Sequence, residues 1–385
     1  MNKTKINAVI VGDSICPRGH RITTFIVTFP RIVLAEFNTH RMFSRNAASS
    51  RAIPLGSMIK SIEENPFIPI AWQQDHKGMQ GTEYLDGIEM ESAVDNWLLA
   101  RDSAVAEAEY LSNNNVTKQL CNRLLEPFMW HTVIITATEW ENFFALRCPQ
   151  YQLELEEGDN GKRYIEGRSK KDFIKEFLKT YPTHGQKELV EDYNLVDNEE
   201  LMTPNNSIGW FQLNKGKAEI HLMELAECMW NVRNESKPKE LKIGDWHIPF
   251  EDKMEIPAIQ NTIKWGGYDP NNPPPDSLLY ERIEEQMVKI STAMAARTSY
   301  TVVGNEKELN YENLIALHDR LISQVPLHAS PMEHCAKVPT DKEYYYNVKG
   351  EGFDTHDDAL GFHTESYGWF DNFHGFIPYR KLLEK

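Results

Sequence analysis

Alternating and β-branched apolar residues mark the strands of the amino-terminal part of the chain. Residues 6–12 alternate between apolar and polar positions and predict a strand, and residues 21–35 predict a second strand in which Pro30 begins a helix. The β-branched residues 132–138 separate two helical stretches, and Pro127 forces a break between them. The pattern therefore mixes strands and helices.

Apolar residues at helical spacing predict most of the remaining elements. In the first such stretch they are Val94, Trp97, Leu98, Val105 and Ala108. In the last, Leu314, Leu317, Leu321 and Val325 share one face. This last predicted helix covers residues 307–325, and the other predicted helices cover residues 116–126, 138–147, 217–232 and 277–297.

Two composition shifts interrupt this pattern without dividing the chain. Residues 149–216 are rich in Glu, Asp, Lys, Asn and Gly and predict an insertion or lid. Residues 234–280, rich in Pro, Gly and Asn, predict an outer connection. We interpret residues 1–385 as a single catalytic domain that carries both features.

Composition bounds the class of protein. The 385 residues are 41% hydrophobic, contain no apolar run long enough to span a bilayer, and begin with a stretch too short for a secretory signal, so we expect a soluble cytoplasmic protein. Five unevenly spaced cysteines without a CxxC pair predict reduced thiols and no structural zinc site. The net charge of −16 disfavours direct nucleic-acid binding.

The acidic average hides a basic amino-terminal segment. Residues 1–60 hold nine Lys and Arg against two acids. Within residues 40–51, three arginines, a histidine, three serines and an asparagine occur without any acid, a composition suited to a nucleotide phosphate. An exposed, solvated turn has the same composition and remains the alternative.

The same segment resembles the signature of the ThyX family of flavin-dependent thymidylate synthases, RHR-x-x-S-x-N-E-x-S-x-R. The matching residues are His40, Arg41, Ser44, Asn46, Ser49 and Arg51. The chain departs from the signature at Thr39, where the family has arginine, and at Ala47, where it has glutamate.

Further segments of the chain resemble the same family. Residues 118–128 and 136–147 resemble its nucleotide-binding and flavin-contacting segment, and residues 218–220 resemble its AQxEI step. Residues 295–300 (AARTSY) and 328–334 (HASPMEH) resemble segments that precede the RHR motif in the family but follow it here. The order of motifs therefore predicts a circularly permuted, phage-type variant, which closely spaced termini make physically inexpensive.

The resemblance implies an α+β fold with a central mixed or antiparallel sheet flanked by helices, assembled as a homotetramer with flavin at subunit interfaces. It implies methylation of dUMP to dTMP with FAD as cofactor and with NADPH and methylenetetrahydrofolate as co-substrates. The implied catalytic residues are Arg147, Ser49 and Arg51. The implied flavin contacts are His40, Arg41, Asn142, Ser299, His328, Ser330 and Glu333. The implied substrate contacts are Glu36, Ser49, Ser50, Arg51, Arg123 and Arg147.

Several alternatives stay open at this point. Thr39 and Ala47 allow a different pyrimidine nucleotide (UMP, dCMP or a hydroxymethyl product), and a flavin- or nucleotide-binding protein without turnover is the alternative of another class. Cys148 is a candidate nucleophile that we disfavour, because it lacks the surrounding motif of the classical thymidylate synthases. A metal site is also disfavoured; its candidate ligands are His328, His334, His356, His363 and His374.

Overall fold

The computed structural model describes residues 5–77, 83–158, 161–180, 214–263, 275–300, 310–346 and 367–384. The chain folds around a five-stranded mixed sheet with helices on both faces, in agreement with the predicted α+β class. The described strands are β1 Asn7–Ile15, β2 Arg21–Pro30, β3 Ser44–Ala47, β4 Trp130–Ala137, β5 Tyr151–Gly158, β6 Gly161–Gly167, β7 Lys239–Glu240, β8 Trp246–His247, β9 Ala336–Lys337, β10 Trp369–Phe370, β11 Phe373–His374 and β12 Ile377–Pro378.

Twelve α-helices lie within the described residues. They are α1 Leu34–Phe37, α2 Leu55–Glu64, α3 Gly87–Asn113, α4 Lys118–Leu124, α5 Glu141–Arg147, α6 Lys170–Thr180, α7 Ile220–Glu235, α8 Ile256–Gln260, α9 Asp276–Arg297, α10 Tyr311–Ile322, α11 Asp341–Tyr346 and α12 Tyr379–Leu383. Short 3-10 turns at Thr298–Tyr300 and Ser330–Glu333 belong to the candidate site. No helix among the described residues is long and apolar enough to cross a bilayer.

The main sheet has the order β3-β4-β2-β1-β7. The first four strands pair antiparallel and β7 joins β1 in parallel. Seven of the eight residues of β4 are buried, because this strand is paired on both edges and covered on both faces. Strand β3 lies at the edge, so the sheet pairs only one side of its backbone and other segments can approach the other side.

Helices cover both faces of this sheet. On one face, aromatic residues of β2 and of helix α5 pack with apolar residues of α7, and Phe25 and Phe144 are fully buried there. On the other face, α9 and α10 supply Ile290 and Leu314 against Ile134 of β4. Two buried aliphatic and aromatic cores therefore hold the sheet rigidly, which fixes the positions of residues at its edge.

Side-chain caps explain where several helices begin. Thr117 accepts a hydrogen bond from the amide of Gln119 at the start of α4, and Asn310 accepts one from Asn313 at the start of α10. Helix α10 ends at Ile322, so the prediction that Val325 belongs to its apolar face was wrong; Val325 is 98% exposed.

The predicted insertion is partly built into the core. Strands β5 and β6 form a hairpin that is followed by α6, and Tyr151 and Phe173 are buried. Glu227 of α7 holds this unit, because its carboxylate accepts hydrogen bonds from Tyr151 Oη at 3.3 Å and from the Lys170 amide at 2.6 Å. Residues 181–213, which the lid prediction also covers, lie outside the described residues, as do 264–274 of the predicted connection.

Candidate active site

Asn46 joins segments from opposite ends of the chain. Its side-chain amide donates a 2.6 Å hydrogen bond to the carbonyl of Ala295, and its carbonyl oxygen accepts from Ser299 Oγ at 3.3 Å and Ser330 Oγ at 3.4 Å. The amide of Ser49 donates to the carbonyl of Ser299 at 3.0 Å. Folding thus places the 295–300 and 328–334 segments against the 44–51 segment.

Glu333 lies on the same side of β3, between two arginines. Its carboxylate accepts a 2.6 Å hydrogen bond from Arg380 Nη1, and its charge raises the pKa of Arg45 while burial, the larger effect, lowers it. Arg45 itself donates to the side chain of Asn38 at 3.1 Å. Beside this group lies a cleft of about 260 Å³. Its lining residues are Ser44, Glu333, Asp371, Asn372, Phe373, Pro378 and Arg380.

Arg147 contacts Thr39. Thr39 is the residue that stands where the family signature has arginine. Arg147 Nη2 donates to Thr39 Oγ1 at 3.0 Å, and the hydroxyl in turn donates to the carbonyl of Glu36 at 2.6 Å. Because the single hydroxyl proton is committed to Glu36, its oxygen is free to accept from the guanidinium. Thr39 thereby fixes one orientation of Arg147.

His40 is packed beside this pair. Its ring lies 4.4 Å from that of Phe43 and 5.5 Å from that of Phe143, measured between centroids. Burial lowers the pKa of His40, a hydrogen bond with the backbone of Glu139 partly opposes this shift, and the charges of Arg147 and Arg45 lower the pKa further. The ring is therefore neutral near pH 7, and its buried Nε2 has no hydrogen-bond partner within the described residues.

Asn122 of helix α4 holds the turn that carries Ser50 and Arg51, two of the predicted phosphate contacts. Asn122, fully buried on α4, donates to the carbonyl of Ser50 at 2.7 Å and to that of Ile53 at 3.0 Å. This places the neighbouring Arg123 beside the turn that carries Ser50 and Arg51. Arg123 is 53% exposed and pairs with Glu126 at 3.3 Å.

Not every predicted residue is held by this framework. The side chains of Glu36, Arg41, Asn142 and His328 are exposed and make no hydrogen bond or ion pair inside the described ranges. Arg51 is also exposed, and its backbone amide donates to Ser49 Oγ at 3.3 Å. The roles implied for these side chains stay predictions.

The structure gives little support to two alternatives, a nucleophilic Cys148 and a histidine metal site. Cys148 is 2% exposed, and burial, followed by the charge of Glu227, raises the pKa of its thiol strongly, so the nucleophilic thiolate is disfavoured. His334 is fully buried and its Nδ1 hydrogen-bonds Thr136 Oγ1 at 2.8 Å, whereas His328 is exposed. No group of three metal-ligating side chains occurs in the part of the chain that is described. His356 and His363 lie outside that part.

Comparisons with known proteins find similarity in solved structures alone. No family model matches the chain, and no curated protein matches it. Two crystal structures of the UMP/dUMP methylase PolB from Streptomyces cacaoi are similar to it in part. The complex with 5-Br dUMP has 14% identity and a TM-score of 0.32 over 38% of this chain and 80% of that one. The complex with 5-Br UMP has 17% identity and a TM-score of 0.32 over 38% and 78%.

Sequence reasoning missed three residues that organise the site. Asn46 stood in the signature but received no role, and its signal was an amide at a position in an edge strand. Asn122 had a detectable signal, because a polar residue beside Cys121 falls on the buried face of a short helix. Arg380 lies in the carboxyl-terminal stretch outside the resemblance, where no local pattern connects it with Glu333.

Proposed function

We propose that the protein is a flavin-dependent enzyme that transfers a one-carbon unit to C5 of a pyrimidine nucleotide, converting dUMP to dTMP with methylenetetrahydrofolate and NADPH. The observation that supports this proposal is the meeting at Asn46 of three segments that resemble ThyX motifs: 44–51, 295–300 and 328–334. Unrelated surface motifs have no reason to converge on one buried amide across this distance in sequence.

The described residues fit an FAD site. The neutral ring of His40 carries a buried nitrogen with no partner in the described ranges, and a ligand atom would satisfy it. Ser299, Ser330 and Glu333 add hydroxyl and carboxylate groups to the same edge of the sheet. Bound FAD, once reduced by NADPH, would supply the hydride that completes the methyl group, a step for which protein side chains have no equivalent.

Arg147 is the residue that we assign to stabilisation of the pyrimidine. A guanidinium held by Thr39 can donate to a uracil carbonyl as negative charge develops there, and one preorganised donor of this kind contributes about 3 kcal/mol. Ser49, Ser50 and Arg51 belong to one turn, and we propose that this turn and Arg123 bind the 5′-phosphate, which would orient the base. The side chain of Glu36 is proposed as a further substrate contact.

Thr39 stands where the family signature has arginine, and this difference concerns the choice of substrate. Thr39 replaces one guanidinium of the family signature by a hydroxyl, and this hydroxyl accepts a hydrogen bond from Arg147. This arrangement still supplies a donor for a uracil carbonyl, so dUMP remains the proposed substrate. UMP and dCMP are the alternatives that product analysis distinguishes.

We also propose that the protein assembles as a homotetramer with sites at subunit interfaces. Helix α3 supports this proposal, because Val105 and Ala108 are its fully buried residues while Ile88, Leu99 and Tyr110 are at least 62% exposed. Large apolar side chains along one long helix are typical of a surface that another subunit covers. Light scattering during gel filtration measures the mass directly.

A matched pair of arginine variants tests the proposed chemistry. Arg147→Ala should retain FAD binding and lower kcat for dUMP methylation about 100-fold, the factor that corresponds to one lost transition-state donor. Arg282→Ala removes an exposed arginine of α9 outside the motifs and should leave kcat unchanged. Equal activity of the two variants, or a wild-type protein that binds no FAD, would contradict the proposal.

A further inference from the structure

The carboxyl-terminal stretch, for which the motifs give no role, forms part of the candidate site. Strand β12 pairs with β9 immediately after the 328–334 segment, and the amide of Tyr379 donates to the carbonyl of Cys335 at 2.8 Å. Tyr379 Oη also hydrogen-bonds His318 Nε2 at 3.1 Å. These contacts fix the backbone on both sides of Pro378 and so determine where Arg380 begins.

Buried aromatic residues anchor the rest of this stretch. Phe373 and Phe376 are at most 1% exposed and pack with Ile22 and Val338. Strands β10 and β11 form a tight hairpin whose turn, Asp371 and Asn372, reaches the 260 Å³ cleft. The wall of the cleft that residues 371–380 provide is therefore as rigid as the core behind it.

Arg380 uses this rigid base to hold Glu333. Its Nη1 lies 2.6 Å from Glu333 Oε1 and its Nε lies 2.6 Å from Glu384 Oε1, so the planar guanidinium is fixed by two carboxylates. The Glu333 side chain is 20% exposed and also lines the cleft. A carboxylate held in one orientation at the wall of a cleft can accept a hydrogen bond from a hydroxyl or amino group of a ligand without a loss of side-chain entropy.

We propose that Arg380 is a positioning residue that orients Glu333 for the ligand in the 260 Å³ cleft, and that residues 371–380 form one wall of the flavin site. The proposal rests on the proposed function, because it takes Glu333 as a flavin contact. It adds a wall built by a part of the chain that lies outside the family motifs. Glu333 meets the ligand, and Arg380 acts through Glu333.

FAD titration of the full-length protein, followed by quenching of flavin fluorescence, tests this assignment. Arg380→Met should weaken FAD binding about tenfold, as expected for an acceptor that has lost its charged orienting partner. Arg380→Lys should recover most of the affinity. Arg282→Met is the matched control, because Arg282 is an exposed arginine of α9 that pairs with Glu285 at 2.8 Å and does not line the cleft; it should bind FAD like the wild type.

A double-mutant cycle separates positioning from a general structural effect. If Arg380 acts through Glu333, Glu333→Gln and the double variant Glu333→Gln/Arg380→Met should bind FAD with nearly equal affinity. Additive losses, or unchanged or tighter binding by Arg380→Met, would overturn the inference while leaving the proposed function in place. A wild-type protein that binds no FAD would overturn both. Urea denaturation of each variant tests whether the fold is retained.

Discussion

Replacement of Asn46 by alanine should destabilise the protein by about 1–2.5 kcal/mol. The largest part comes from the carbonyl of Ala295, which loses its 2.6 Å donor but keeps the hydrogen bond from the backbone amide of Thr298; one lost hydrogen bond of this kind costs about 0.5–1.5 kcal/mol. The hydrogen bonds from Ser299 and Ser330, at 3.3 and 3.4 Å, are longer than the optimum. They add about 0.5 kcal/mol each at most, because a partly exposed hydroxyl can turn to water.

Urea denaturation of the wild type and two asparagine variants measures this loss. Asn96→Ala is the matched control, because Asn96 lies on the exposed face of α3 and its one hydrogen bond is to Ser92 of the same helix. It should change the free energy of unfolding by less than about 0.5 kcal/mol. Asn46→Asp keeps the shape but removes the donor, and should destabilise at pH 7 at least as much as Asn46→Ala. If Asn46→Ala costs no more than Asn96→Ala, the three motif segments do not meet as described.

Three further predictions concern the site and its surroundings. Thr39→Val should lower kcat about fivefold by releasing Arg147, while Thr39→Ser restores it; equal rates would show that the hydrogen bond has no role. Cys148→Ala should retain full activity, and the native thiol should resist iodoacetamide, because burial raises its pKa. Burial lowers the pKa of His247 to about 3, so only the unfolded state gains a proton between pH 6.5 and 3. The contribution of His247 to stability should be fully present above pH 6.5 and be lost as the pH falls toward 3, and His247→Gln should reduce the slope by about 1.4 kcal/mol per pH unit.

The regular elements were predictable because their signals are local. Periodicity placed the first strands, helix α7 and helix α9 within a few residues of their bounds. The β-branched residues 132–138 form most of the central strand β4, whose burial on both faces explains why they lack alternation. Strands of two residues, such as β9 and β12, carry no periodicity and escaped the prediction.

The contacts between distant segments were harder to predict from the sequence. Resemblance to a family grouped the motifs, but no local pattern shows that Asn46 bonds Ala295 or that Arg380 pairs with Glu333. Such pairs depend on the packing of the whole sheet and its two helical layers. The circular permutation implied by the order of the motifs stays a prediction; a shared site needs only that the segments lie close together in space.

Anaerobic turnover tests the central claim most directly. The FAD-loaded protein is incubated with dUMP, methylenetetrahydrofolate and NADPH, and the nucleotide is then analysed by mass spectrometry. Replacement of one hydrogen of dUMP by a methyl group, dependent on all three components, is the predicted result. If FAD is bound and reduced but dUMP, UMP and dCMP all remain unchanged, the protein is a flavin-binding protein without this chemistry and the proposed function is wrong.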